Sequence, residues 1–273
     1  MKNIEAYKKS LEDNQLGKST IDIYIREAKN LESYMKGKER TKANYIAYIN
    51  YLKDLKVKDK PKYKLVTLNN KIILINKYLK FIGEESNTLK EFKIQDQDNV
   101  MTLTDNDYKR ILRQAHKKGT ERDVLMLEAL YYTGVRVSEL EYFTVEALKK
   151  GYMEVTNKGK TRVVGISKKL DKQGKEYISK NKIKEGAIIL NNQGKPLSRN
   201  YVYKRMKYLG GQARVNKAKV YPHSIRHLFA KNMVEKHNIN PLQLADILGH
   251  ESISTTRRYT KLGLDEVKKL MDF

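Results

Sequence analysis

Between Leu65 and Ile82 the residues Leu65, Leu68, Ile72, Ile75, Leu79 and Ile82 fall in alternating steps of three and four, while Lys64, Lys71, Lys77 and Lys80 lie off that stripe. An α-helix puts such residues on one side, so the pattern requires a second surface to bury them. Two upstream segments supply it. Ile21, Tyr24, Ile25, Ala28, Leu31 and Met35 recur at helical spacing behind a Ser19 or Thr20 cap, and Tyr45, Tyr48, Ile49 and Leu52 share one side of a helix from Ala43 to Leu55. Gly83 ends the third helix. Residues 1–85 are therefore expected to form a helical bundle with a basic exterior.

The stretch from Glu84 to Val100 has no sustained period and reads as a linker plus a short helix, so a linker is expected at residues 86–101 and a second domain over residues 102–273. Thr104 is placed to cap a helix whose first turn carries Asp105 and Asp107. The alternative for these aspartates is a metal-binding acidic cluster of a two-metal nuclease, which needs further carboxylates converging in space. Arg122 to Tyr132 is densely apolar and predicts a buried helix closed by Gly134. At Tyr152 to Ile166 the period changes to that of strands, and Lys158-Gly159-Lys160 between them predicts a β-hairpin. Helices follow at Ser198 to Tyr208 and Pro222 to Glu235. Asn240 as cap, Pro241 at the first helical position and Gly249 beyond the end bracket a short one. Leu264, Val267, Leu270 and Met271 give the tail, residues 264–273, an apolar stripe that packs either in cis or on a neighbour. The expected fold class is mainly α with a small β-sheet, an α+β chain.

Charge narrows the partners. Across 273 residues Lys and Arg number 56 against 32 Asp and Glu, a formal charge of +24, and an excess of that size in a folded chain answers a polyanion. Nucleic acid is the first candidate and an anionic membrane the second. MKNIEAYKKS lacks the apolar core of a signal peptide, and no apolar run approaches the ~20 residues that span a bilayer. A soluble, intracellular protein is expected. The absence of Cys excludes disulfides, thiol nucleophiles and Cys-ligated zinc. With 19 tyrosines in the chain, being Tyr singles out no residue.

Position does. Arg136 lies in TGVRVSEL, His223 and Arg226 lie three apart in HSIRH, His250 follows Gly249, and Tyr259 stands in STTRRYT. Each has an ordinary alternative: a surface arginine, a packed histidine, a histidine at a helix end, a core tyrosine. Together they suit one reaction. When a side-chain oxygen attacks a phosphodiester, charge grows on two non-bridging oxygens, and guanidinium groups match that geometry better than ammonium. A phenol with a pKa of about 10 needs a neighbouring acceptor or cationic field to release its proton, which His223 and the arginines supply. A lysine on a hairpin tip can protonate the leaving oxygen.

In this order the residues resemble the tyrosine recombinase (integrase) family, close to the Xer-type and phage or transposon integrases. The resemblance rests on TGVRVSEL at 133–140, NKGKTR at 157–162, HSIRH at 223–227, LGH at 248–250 and Tyr259, and spans nearly all of the second domain. It implies an N-terminal helical core-binding (SAM-like) domain and a mixed α/β catalytic domain. Arg136 and Arg226 would hold the scissile phosphate, His223 would act as acid/base beside Tyr259, and His250 would donate to a phosphate oxygen. Tyr259 would form a 3′-phosphotyrosine link and release a 5′ hydroxyl, with no cofactor: neither ATP nor metal. Lys158, ahead of the turn glycine, would be the general acid, with Lys160 its rival because this hairpin is one residue shorter than some relatives'. Glu139 would buttress the Arg136 turn, and His227 would be a packed neighbour. The partners implied are double-stranded DNA and a homo-tetramer on paired sites, with room for a second recombinase or accessory factor, in the cytoplasm and nucleoid of a prokaryote or on a phage or mobile element. The short N-terminal part favours a simple Xer-like system over integrases with an arm-binding domain. Two other readings stand beside it: a type IB topoisomerase, which uses similar chemistry but reseals the same strand, and a catalytically silent DNA-binding relative, whose expected mark is loss of at least one of the six residues, all of which are present here.

Overall fold

The computed structural model describes residues 2–94, 101–157 and 159–249. Contacts divide the chain into two compact units, Met1–Asp98 and Asn99–Phe273. Lys158, His250, Tyr259 and the tail lie outside the described residues.

The first unit is built on helices α1 (Lys2–Asp13), α2 (Lys18–Met35), α3 (Lys42–Asp54) and α4 (Leu65–Phe81). Its core holds the periodic residues read from the sequence: Ile21, Ala28, Leu31 and Met35 of α2, Tyr45, Tyr48, Ile49 and Leu52 of α3, and Leu68, Ile72, Ile75 and Leu79 of α4. Helix α2 begins at Lys18 behind Gly17, ahead of the Ser19 or Thr20 cap expected, because the extended Gly17 itself serves as N-cap. Lys71 also departs from expectation. Rather than joining the basic exterior it is buried on α4, where its Nζ meets Glu27 of α2 at 2.5 Å.

Two further features shape this unit. Strands β1 (Lys56–Val57) and β2 (Lys60–Pro61) form a tight antiparallel hairpin whose turn residues, Lys58 and Asp59, both have positive φ, 50° and 60°. That is the backbone a two-residue hairpin turn requires. Beyond Gly83, the first part of the stretch expected as a linker is packed. Asn76 and Asn69 on α4 lie two helical turns apart, and their amides each exchange a pair of 2.8 Å bonds with the backbone of Leu89 and Phe92 respectively. Each asparagine satisfies one extended residue's N–H and C=O as a neighbouring strand would.

In the second unit, α5 (Asp105–Lys118) and α6 (Glu121–Thr133) both start with capping boxes, Thr104 with Asp107 and Thr120 with Asp123. Asp105 accepts from Tyr131 and Asn232 and pairs with Lys236, so both acidic residues of the first turn are structurally engaged. Helix α6 is buried on nearly every side, as its dense apolar run predicts. A 3₁₀ turn (Val137–Tyr142), α7 (Val145–Lys150) and the hairpin of β3 (Tyr152–Asn157) and β4 (Lys160–Gly165) follow. The hairpin pairs Tyr152 with Gly165 at one end and Asn157 with Lys160 at the other. Met153, Val155 and Val164 join the main core. Opposite Val155, Arg162 belongs to the same inward face.

Helix α8 (Lys168–Lys180) lies against α6, and α9 (Arg199–Gln212) starts at the cap Ser198. Helix α10 (Pro222–His237) packs against α6 on one side and α11 (Pro241–Leu248) on another. Phe229 and Ala230 of α10 bury themselves with Leu244 and Leu248 of α11. The brackets of α11 are those read from the sequence: Asn240 caps it in a box with Gln243, Pro241 is first, and Gly249 closes it in the left-handed region at φ 63°. Among the described residues, strands pair only as the two hairpins.

Candidate active site

Helix α6 stops at Gly134, whose φ of 63° ends the helix and whose missing Cβ leaves room for the Phe229 ring; a Cβ there would lie 2.3 Å from that ring. The chain then turns through Val135 into Arg136, extended at φ −72° and ψ 156°, which opens the 3₁₀ turn. Glu139 closes the turn on Arg136, accepting its backbone N–H at 2.8 Å and its guanidinium at 2.9 Å. The expected buttress is thus present.

Arg226 arrives from α10, one turn after His223. Only 2% exposed, it donates to the carbonyl of Gly134 at 2.7 Å and to the carbonyl of Leu248 at the end of α11. Arg136 reaches the same end, its second guanidinium nitrogen 3.4 Å from the Gly249 carbonyl. Ile247, the carbonyl before these, takes Arg162 Nε at 3.0 Å. Three consecutive carbonyls are therefore each met by a guanidinium from a different segment. The helix-end accounting is filled by the Gly249 N–H, which bonds back to Ala245 and Asp246. The partial negative charge of the α11 terminus favours such a gathering of cations.

Glu139 is the counter-charge. Its two oxygens accept from Arg162 at 3.2 and 2.7 Å as well as from Arg136, and Asn157 adds a contact at 3.4 Å. Burial alone would push this carboxyl up, but the bonds from Arg162 and Arg136 outweigh it and hold the pKa at about 2. Glu139 is thus a carboxylate at any working pH, shared by the guanidinium groups of Arg136 and Arg162. The Arg136 side chain is 30% exposed, compared with 11% for Arg162, so Arg136 is the more open of the pair.

His223 is exposed near the start of α10, with its ring edge-on to that of His227, centroids 4.6 Å apart. The structure thus brings Arg136 and Arg226 to one place, with His223 one turn from Arg226 on α10. Lys160, the rival general acid, is exposed and shares a hairpin face with Arg162 and Val164. The places of Lys158, His250 and Tyr259 fall outside the described residues, although His250 is next in sequence after Gly249. Sequence reading missed Arg162, quoted within NKGKTR but given no part. Strand alternation carried the signal, since 162 shares a face with the inward Val164.

Residues 101–264 match the model of the phage integrase family. The chain belongs to that family. It is a tyrosine recombinase, an enzyme that breaks and rejoins DNA, with the fold expected: a helical N-terminal part and a catalytic part with small sheets. The chain is 28% identical to a tyrosine recombinase XerD of Staphylococcus saprophyticus over 288 aligned positions, covering 98% of this chain and 96% of that one. Over a shorter stretch of 159 residues, 55% of this chain and 53% of the relative, it is 35% identical to a tyrosine recombinase XerD of Staphylococcus aureus. The fold is also that of a XerH site-specific recombinase solved bound to its difH substrate, at TM-score 0.75, 19% identity and coverage of 99% of this chain and 83% of that one.

Proposed function

We propose that this recombinase cuts one DNA strand at a time at a specific site, with Tyr259 as nucleophile, and exchanges strands between two paired sites. The observation that carries this reading is the convergence of Arg136 and Arg226, 90 residues apart, on the end of α11 just before His250. In the reaction the Tyr259 oxygen attacks phosphorus and the bond from phosphorus to the 5′ oxygen breaks. The phenol proton passes to His223, and Lys158 gives its proton to the departing 5′ oxygen. Arg136 and Arg226 neutralise the charge on the non-bridging oxygens, and His250 donates a further hydrogen bond. The 3′-phosphotyrosine link retains the ester's free energy, so the released 5′ hydroxyl of a partner strand reverses the step without ATP.

The helical first unit serves as the core-binding domain and the second as the catalytic domain, joined through the segment after residue 85. A tetramer on two paired sites is the working assembly, with the apolar stripe of Leu264, Val267, Leu270 and Met271 docking on a neighbour. The solved relatives include a lambda integrase tetramer on a Holliday junction. The enzyme works in the cytoplasm, at the nucleoid or on mobile-element DNA; among the described residues no helix is long and apolar enough to cross a membrane. Recovering SDS-resistant protein–DNA adducts from cells and sequencing the attached DNA tests the reading. One recurrent sequence, cut at a fixed spacing on its two strands, is expected. Adducts scattered over the genome would instead favour a topoisomerase.

A further inference from the structure

Arg162 binds three elements at one point. From β4 it grips both oxygens of Glu139 on the 3₁₀ turn and, through Nε, the Ile247 carbonyl on α11. A Cβ at Gly249 would come within 3.0 Å of the Arg162 side chain, so the guanidinium is wedged against the α11 end as well as bonded to it. The carboxylate it grips is the one that sets Arg136: Glu139 takes the Arg136 backbone N–H on one oxygen and its guanidinium on the other. Because Arg162 is nearly covered while Arg136 stays accessible, Arg136 is the one of these two that is open to a phosphate.

We infer that Arg162 is a positioning residue for strand cleavage, fixing the Arg136 guanidinium through the shared Glu139 carboxylate while anchored on the end of α11. This rests on the recombinase reading above. A guanidinium is required because its planar fork makes two parallel bonds to a carboxylate and still presents Nε to a third acceptor. An ammonium at position 162 has one nitrogen and cannot reproduce the parallel pair. Without Arg162, Glu139 is left buried with Arg136 as its main cation and is free to shift, carrying Arg136 off the position that meets the phosphate. Misplacing a catalytic group by about 1 Å costs on the order of 10²-fold in rate.

The test uses the full chain and a nicked duplex of the sequence recovered from cells, with covalent adduct formation timed in a single turnover and duplex affinity measured separately. Arg162→Ala is expected to slow adduct formation by roughly 10–100-fold with duplex affinity within about threefold of wild type, a split between rate and binding that general unfolding does not give. Arg136→Ala should slow it by about 10²–10³-fold. The double variant decides, since residues acting as a unit are not additive. Its loss is expected to fall at least tenfold short of the product of the two single losses. A loss equal to that product, a wild-type rate for Arg162→Ala, or binding lost in step with rate overturns the inference. Arg162→Lys, which keeps charge and bulk, carries the same cycle if the alanine variant does not fold, and a wild-type rate there overturns it equally. If wild type itself forms no adduct, the recombinase reading fails and this inference falls with it, whereas an active wild type isolates the question of Arg162.

Discussion

Glu139 concentrates the electrostatics of the site in one side chain. Its carboxyl is held at about 2 in the fold against an ordinary value of 4.5. A depressed carboxylate contributes stability that is present above its unfolded pKa and lost as pH falls through the folded one. Between pH 5 and pH 3, wild type should therefore lose roughly 2 kcal/mol more than Glu139→Gln, which has no proton to take up there. Urea denaturation of both proteins at the two pH values measures this, and equal losses would contradict it. At this scale the sequence was partly legible. Thr104 and Asn240 could be read as caps because a cap needs only short-range spacing. Arg162 could not be assigned, since its partners Glu139 and Ile247 are 23 and 85 residues away.

Between elements, periodicity told most of the story and exceptions came where side chains replaced the expected chemistry. The stripes of α2, α3 and α4 are the core of the first unit because apolar spacing alone specifies a buried face. Lys71 was read as exterior because it falls off the α4 stripe, but Glu27 of α2 takes it into the interior. Breaking such a buried pair strands a charge, whereas replacing both partners removes the need for one. Glu27→Ala should accordingly cost about 3–5 kcal/mol, while Glu27→Leu with Lys71→Met should lie within about 1 kcal/mol of wild type or above it. Chemical denaturation of the three chains checks this, and a mild single variant would contradict it. The β1–β2 hairpin escaped notice because Lys58-Asp59 carries none of the glycine that usually marks such a turn. The packed stretch at Leu89 and Phe92 escaped because Asn69 and Asn76 hold it by side-chain bonds, which leave no period in the sequence.

For the whole molecule, composition and motif order were the informative signals. A charge of +24 has little bearing on either core, yet it bears directly on DNA binding. Binding a duplex releases counterions, so affinity should fall by about 10³-fold or more between 50 and 200 mM salt if six or more phosphates are contacted. A flat salt response would mean the basic surface does not meet the backbone. Motif order carried the enzyme class, since five separated matches agree on one chemistry and residues 101–264 match the family. The nucleophile is the claim on which the rest of the mechanism depends. On a nicked duplex bearing the cellular site, wild type should form an SDS-resistant adduct that a protease reduces to a tyrosyl peptide on the 3′ end, and Tyr259→Phe should form none. An undiminished adduct from Tyr259→Phe would contradict the account.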